Sequence, residues 1–364
     1  MRNYRSLRQL GTIKPSIIGW HYSTRLWIFY SQILLLLTLV FFSACAKKQP
    51  PPKVGFYYWK THFELNTVEL AALDSLNVQN LYIRIFDVDW DFNTNQAIPK
   101  GTQTNHPIFP KGINPIPTIY ITNRTFSHVK DVDSLAQKVL DYTSETLEKW
   151  PKNPHKLQLD TDWTPTTKEK YFRFVQYIKS NGPFEKISTT IRLHQYKYSQ
   201  KTGVPPADEG VLMCYNTGKI TDWATENSIA TPEEINKYLQ KSKHYPLELG
   251  VALPIFSWTV IFRDSSFYKI VSDADLSWQQ DTIHYRQTAD NRYVVKAGTF
   301  LKGHYLYEGD LLRYEMVKPT DLLTSSTFLS AKQSYSEVLF YHLDEDNLAH
   351  YKLGELNKVI KTLE

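Results

Sequence analysis

The chain has 364 residues with 42 basic and 37 acidic side chains, and its formal net charge is +5. Five of the 42 basic side chains and no acidic ones lie in residues 1–44, so 37 of each sign remain from Cys45 onward. Because residues 45–364 carry no net charge, the chain is not a strongly basic protein of the kind that binds nucleic acid. The 42% hydrophobic content excludes a disordered chain, and two cysteines exclude a disulfide framework.

The N-terminal segment has the order of a bacterial export signal. Residues 1–25 are polar and basic, residues 26–44 are apolar, and small residues stand immediately before Cys45. The sequence Phe42-Ser43-Ala44-Cys45 resembles a lipobox, in which the cysteine is acylated and becomes the mature N-terminus. We therefore predict a lipoprotein signal peptide over residues 1–44 and lipidation of Cys45.

The segment over residues 45–52 is polar and rich in proline, which is typical of a tether. The protein is then expected in the cell envelope, attached to a membrane by its lipid, either in the periplasm or at the outer-membrane surface. The alternative is an uncleaved membrane anchor, because about 18 apolar residues can span a bilayer.

From residue 53 onward, short apolar segments alternate with helical patterns, which indicates β–α units on a parallel sheet. The predicted strands cover residues 54–59, 81–88, 117–122, 156–159, 186–193, 211–215, 247–256 and 337–342. Eight such strands favour an α/β fold, a (β/α)8 TIM barrel over residues 53–364. A doubly wound open sheet is the alternative, but no Gly-rich phosphate-binding turn follows any strand.

The interval between the seventh and eighth predicted strands departs from this alternation. Residues 285–286 and 292–295 have the pattern of short strands and flank a turn-forming stretch. Residues 299–307 have the same strand-like pattern. We predict an inserted β-rich subdomain at about residues 260–315, on the C-terminal face of the barrel. The seventh helix is expected within residues 311–329.

Side chains at the C-terminal ends of barrel strands converge on one pocket. The predicted strand ends carry aromatic rings, carboxylates and amides, and few phosphate-binding cations. Rings can stack on the CH faces of a sugar while Asp and Asn bind its hydroxyls, so we predict a neutral glycan as the partner. No metal-ligand motif or cofactor-binding turn is present, so neither a metal nor a cofactor is expected. The expected substrate-binding residues are Trp59, Asp89, Arg192, His194, Tyr215, Asn216, Trp258 and Tyr341.

Asp160 and Asp162 form the sharpest motif, and we predict them as the catalytic carboxylates. In a strand they face the same side, and two carboxylates this close perturb each other's pKa, as acid–base chemistry requires. The alternative is a structural role, in which they cap the following helix or pair with Arg192. Structural alternatives also stand for two other residues, a rim position for His194 and a core position for Trp258.

These residues carry a family resemblance. The chain resembles the family 18 glycoside hydrolases, which include the chitinases, and resembles more closely the bacterial barrel proteins related to them. Those enzymes place D-x-x-D-x-D-x-E on the fourth strand and M-x-Y-D/N on the sixth. Asp160 and Asp162 match the two later aspartates, and residues 213–216 match the sixth-strand motif. The resemblance implies a glycosidase-like barrel.

Two departures from the family pattern affect the expected activity. Leu157 stands at the first Asp of the motif, and Thr164 stands at the Glu that serves as general acid. A threonine hydroxyl cannot protonate a leaving glycosidic oxygen. Two hypotheses follow: the barrel binds a glycan and hydrolyses it with an acid supplied from elsewhere, or it is a carbohydrate-binding or scaffold protein without catalysis.

The lipid anchor can be tested directly. Bacteria that express the parent chain should incorporate labelled fatty acid into the protein, and the Cys45→Ala variant should incorporate none. The matched control is Cys214→Ala, which removes the only other cysteine and should keep the label. Label that still enters the Cys45→Ala variant would contradict the prediction.

Overall fold

The computed structural model describes Tyr30, residues 50–272 and residues 276–364. Cys45 and the predicted signal peptide, apart from Tyr30, lie outside these residues. Within the described residues, no helix is both long and apolar enough to cross a membrane.

The described residues contain sixteen strands. In chain order they are β1 (Lys53–Tyr58), β2 (Asn80–Asp91), β3 (Gln96–Lys100), β4 (Asn114–Ile121), β5 (Lys156–Asp160), β6 (Lys186–Arg192), β7 (Glu209–Met213), β8 (Glu248–Pro254), β9 (Ser257–Arg263), β10 (Ser266–Ser272), β11 (Tyr285–Ala289), β12 (Arg292–Val295), β13 (Thr299–Leu301), β14 (His304–Leu306), β15 (Leu311–Met316) and β16 (Glu337–Tyr341).

Ten α-helices lie among the same residues. They are α1 (Thr67–Ser75), α2 (Asn123–His128), α3 (Val132–Leu147), α4 (Lys168–Asn181), α5 (Leu193–Lys197), α6 (Ser199–Thr202), α7 (Pro232–Leu239), α8 (Pro319–Lys332), α9 (Glu345–Leu348) and α10 (Leu353–Leu363).

Eight of the strands form a closed parallel barrel. Its order is β1, β2, β4, β5, β6, β7, β8 and β16, and β1 pairs with both β2 and β16. These are the eight strands predicted from the apolar segments, so the TIM barrel is confirmed. β2 is followed by the antiparallel strand β3 where a regular barrel would have a helix. Asp91 favours this reversal, because its carboxylate accepts hydrogen bonds from Asn93 N and Thr94 Oγ1 at 2.9 Å.

A five-stranded antiparallel sheet lies between β8 and α8 in the chain. Its order is β10, β9, β15, β12 and β11, and β13 and β14 form a separate hairpin. It has its own apolar core, which includes Ile261, Trp278, Tyr293 and Leu312. We call β9–β15 the insertion.

The seventh helix of the barrel, α8, begins within the predicted interval and ends at Lys332, three residues beyond it. Residues 311–316 form β15, which lies between β9 and β12 in the insertion sheet, and the helix begins at Pro319. Because β9 and β12 bind the backbone of β15 from both sides, the helix can begin only after this strand ends. Proline then occupies the first helical position, where its missing N–H has no cost.

The interior of the barrel is filled in layers. Near the N-terminal ends of the strands, Lys156 Nζ lies 3.0 Å from Glu337 Oε1 and also pairs with Glu209. Tyr82 donates its hydroxyl to Glu337 at 2.5 Å. Buried side chains such as Tyr57, Met213 and Leu339 lie in the same interior, and Trp59, Tyr215 and Tyr341 pack against them. The interior of the barrel is therefore filled by side chains and is not an open pore.

Candidate functional site

A cavity of about 500 Å³ opens at the carboxyl ends of the barrel strands. The closed barrel explains its position, because inward-facing side chains that follow parallel strands meet at one edge. Eight of the ten predicted site residues line this cavity: Asp160, Asp162, Trp59, Arg192, Tyr215, Asn216, Trp258 and Tyr341.

One wall of the cavity is a continuous group of aromatic rings. Tyr341 lies at its centre, with ring centroids 5.5 Å from Trp59, 5.3 Å from Tyr215 and 5.7 Å from Phe256. Phe256 in turn lies 5.3 Å from Trp258. These inclined ring pairs give a preformed apolar surface of the kind that stacks on a flat, weakly polar ligand.

Asp162 is held by Arg192. The guanidinium donates two hydrogen bonds to this carboxylate, from Nε to Oδ1 and from Nη2 to Oδ2. The structural alternative, an ion pair with Arg192, is therefore present, and it leaves Asp162 at the cavity wall. A two-pronged pair of this kind fixes the orientation of both groups and neutralises their charges locally.

Asp160 lies in a different environment although it lines the same cavity. The Thr190 hydroxyl donates a hydrogen bond to its Oδ1 at 2.7 Å. Burial and the nearby Asp162 carboxylate raise the pKa of Asp160 to about 7. Asp160 therefore keeps its proton to a higher pH than an ordinary aspartate, and near neutral pH it can act as an acid or as a base.

A third carboxyl group in the cavity, Asp344, is paired with a cation. Lys60 Nζ lies 2.8 Å from Asp344 Oδ2 and 3.0 Å from Glu69 Oε1. Burial opposes ionisation of Asp344, but the hydrogen bond and charge of Lys60 outweigh it and lower its pKa. Of the three carboxyl groups, Asp162 and Asp344 have a lysine or arginine partner, whereas Asp160 is bonded to a hydroxyl.

Asp89 does not line the cavity, so the structure corrects its assignment as a substrate-binding residue. It is buried, and it accepts hydrogen bonds from Arg124 Nε and Nη2 at 2.5 and 2.6 Å. Lys100 Nζ and Thr122 Oγ1 bind the same carboxylate at 2.8 and 2.9 Å. These bonds to the protein, led by those of Arg124, lower the pKa of Asp89 and occupy both of its oxygens.

His194 lies in a smaller neighbouring cavity of about 280 Å³, which shares Asp162, Arg192, Tyr215 and Asn216 with the main one. Burial and the charge of Arg192 lower the pKa of His194. Thr164 also lines this smaller cavity. Its hydroxyl lies 2.9 Å from that of Thr166 and 3.2 Å from that of Thr167, so it belongs to the turn before α4.

Two buried residues of β15, Glu315 and Arg313, support the site although the sequence patterns do not predict them. Glu315 Oε2 accepts hydrogen bonds from Trp258 Nε1 at 2.8 Å and from Ser228 N at 2.9 Å. Arg313 pairs with Glu315 and donates a hydrogen bond to the Ile220 carbonyl at 3.1 Å. The insertion therefore orients Trp258 and holds the loop after β7. An Arg-x-Glu pair within the apolar segment over residues 311–316 was the available signal.

No family model matches the chain, and no curated protein matches it significantly. Among solved structures, the chain is similar to the spore cortex-lytic enzyme SleL of Bacillus cereus, with 14% identity and a TM-score of 0.51 over 87% of this chain and 75% of that one. SleL of Bacillus megaterium QM B1551 gives 10% identity and 0.50 over the same shares. A chitinase of Chromobacterium violaceum gives 10% identity and 0.46 over 83% of this chain and 98% of that one.

The chain has the barrel fold of the spore cortex-lytic enzymes. At these identities the similarity establishes the fold alone. The barrel fold that the family 18 resemblance implies is therefore confirmed.

The raised pKa of Asp160 predicts how stability depends on pH. The folded chain keeps a proton on Asp160 up to about pH 7, whereas the unfolded chain loses it near pH 4. The parent should therefore lose stability, relative to the Asp160→Asn variant, as the pH rises from 4 to 7. The difference in Tm between the two should change by roughly 2 °C or more when both are followed by circular dichroism.

The control for this measurement is Asp133→Asn. Asp133 is paired with Arg173, which lowers its pKa, so its contribution is constant above about pH 5. A difference in Tm between the parent and Asp160→Asn that stays constant from pH 4 to pH 7 would contradict the prediction.

Proposed function

We propose that this protein is a lipid-anchored protein of the cell envelope whose barrel binds a neutral glycan at its C-terminal face. The proposal rests on one observation: the aromatic wall and the polar side chains of Asp160, Asp162 and Asn216 line the same cavity. The similarity in fold to a spore cortex-lytic enzyme supports the choice of a glycan.

The charges in the cavity favour a neutral ligand. Arg192 and Lys60 are the cations of its lining, and each is paired with a carboxylate, Asp162 and Asp344 respectively. A phosphate or another polyanion would have to displace these carboxylates to reach the cations. A sugar needs no such exchange, because its hydroxyls can bind carboxylate and amide oxygens while its CH groups contact the rings.

The anchor rests on the sequence of the N-terminal segment. Cys45 follows the predicted signal peptide, and the tether over residues 45–52 separates it from β1. Such a tether would hold the barrel close to the membrane that carries the lipid and leave it free to reach glycans of the envelope.

A second candidate function is hydrolysis of the bound glycan, and the environment of Asp160 favours it. Glycoside hydrolysis needs one carboxyl group that protonates the leaving oxygen and a second carboxylate that assists the attack at the sugar carbon. Asp160 holds a proton near neutral pH and Asp162 lies beside it. We favour binding without hydrolysis, because Thr164 stands where the family 18 glycoside hydrolases have their general acid. Its hydroxyl is hydrogen-bonded within the turn before α4.

Binding can be tested on the chain from residue 45 to 364, purified in detergent, by titration calorimetry with a panel of neutral oligosaccharides that includes chitooligosaccharides. Trp258→Ala should lower the affinity about tenfold or more, since a stacking platform is lost. Phe92→Ala, which removes an exposed ring away from the cavity, should leave the affinity unchanged. Absence of binding to every oligosaccharide, or equal affinity in Trp258→Ala, would overturn the proposal.

Hydrolysis is tested on the same samples by chromatography of released oligosaccharides. If the second candidate is correct, the parent releases product and Asp160→Asn releases at least about a hundredfold less, the usual contribution of a general acid. Binding by Asp160→Asn should persist, because the amide has the same shape. A parent that binds glycans and releases no product would leave binding as the function.

A further inference from the structure

The insertion carries a group of exposed aromatic side chains that is separate from the cavity. Phe300 is 67% exposed, Tyr307 56%, Tyr268 49% and Tyr305 44%. The ring of Tyr305 lies 5.1 Å from that of Phe300 and 4.9 Å from that of Tyr307. We call these four residues the aromatic surface. Exposed aromatic rings in such a cluster mark an interaction site more often than isolated ones do.

Arg263 holds two of these rings in place. Its guanidinium carbon lies 4.1 Å from the ring centroid of Tyr268 and 4.5 Å from that of Tyr307, so the cation lies between them. Arg263 also donates hydrogen bonds to the buried Asp310, from Nε at 3.0 Å and from Nη2 at 2.7 Å. Asp310 Oδ2 accepts a further bond from Tyr307 N at 2.9 Å. The rings are therefore preorganised, and the charge of Arg263 is neutralised.

The backbone is adapted to the same rings. The pairing of β10 with β9 shifts register between Phe267 and Lys269, which makes Tyr268 the extra residue of a β-bulge. Bulges redirect a side chain out of the regular alternation. Gly298 lies beside Tyr305, where a Cβ would be 2.2 Å from the tyrosine oxygen. The bulge at Tyr268 and the glycine beside Tyr305 therefore allow two tyrosines to lie outside the apolar core of the insertion.

We propose that the aromatic surface is a second carbohydrate-binding site, which takes an extended neutral polysaccharide. Exposed rings suit the CH faces of sugars, and the hydroxyls of the three tyrosines can donate to and accept from sugar hydroxyls. The paired charge of Arg263 disfavours an anionic partner such as a nucleic acid or an anionic membrane. The order imposed by Arg263 and Asp310 lowers the entropic cost of binding.

This surface does not depend on the cavity. Arg263 follows Trp258 by five positions on β9, so the two side chains project from opposite faces of the strand. At about 3.4 Å per residue the two positions are separated by roughly 17 Å. One polysaccharide chain bound at the aromatic surface can therefore leave the cavity free, and each site can be removed without the other.

The test is cosedimentation of the chain from residue 45 to 364 with insoluble chitin and with microcrystalline cellulose. The Phe300→Ala/Tyr307→Ala variant should raise the Kd for the retaining polysaccharide about tenfold, a loss of about 1.4 kcal/mol. Its affinity for soluble oligosaccharides should be unchanged. Trp258→Ala should show the opposite pattern, with retention kept and oligosaccharide affinity lowered. The matched control is Tyr198→Ala, which removes an exposed tyrosine elsewhere.

Three results would overturn this proposal. The first is equal retention of the parent and the double variant, and the second is no retention of the parent on either polysaccharide. The third is a parent that binds phosphatidylcholine vesicles and a double variant that loses this vesicle binding while its binding to polysaccharide is unchanged. Phe300→Ala alone, at the most exposed of the four rings, serves as a second variant should the double variant unfold. Failure of the proposed glycan cavity would appear separately, as loss of oligosaccharide binding by the parent.

Discussion

The period-two alternation of side chains on strands that close into a barrel is the constraint on which the rest of the structure depends. Every second side chain of each strand faces a volume that cannot expand, so the interior is built in layers. A charged layer around Lys156 and Glu337 lies near one end, and tyrosines fill the middle. Carboxylates and rings can remain accessible only at the opposite end. The acidic pair at Asp160 and Asp162 owes its environment to this arrangement.

The cavity is completed by a part of the chain outside the barrel. Trp258 is the second residue of β9, at the start of the insertion, and its indole is oriented by the buried carboxylate of Glu315. A buried charge is stable only when it is paired and hydrogen-bonded, and Arg313 and Ser228 supply these partners. The insertion therefore contributes to the shape of the site through a few buried polar contacts, while its exposed face carries a separate set of rings.

Much of the fold follows from local sequence patterns. The eight barrel strands are short apolar segments, and spacing alone places Asp160 and Asp162 on one side of the chain. Contacts between distant residues are not visible in such patterns. The sequence predicts Asp89 as a residue of the cavity, yet Arg124 and Lys100 occupy its oxygens, and neither residue is a neighbour of Asp89 in sequence. The sequence predicts a β-rich insertion that ends near residue 315 and a helix within residues 311–329, and the pairing of β15 with β9 and β12 decides where one ends and the other can begin.

The pairing of β1 with β16 links the two ends of the folded domain. Residues 53–56 bind the backbone of residues 337–340, so the sheet has an open edge until the last strand is available. Open strand edges are prone to pair with other chains. A chain that is synthesised from its N-terminus makes β1 long before residues 337–340 are available to pair with it. We therefore expect closure of the barrel to be a late step of folding, because it requires a contact between strands that are far apart in sequence.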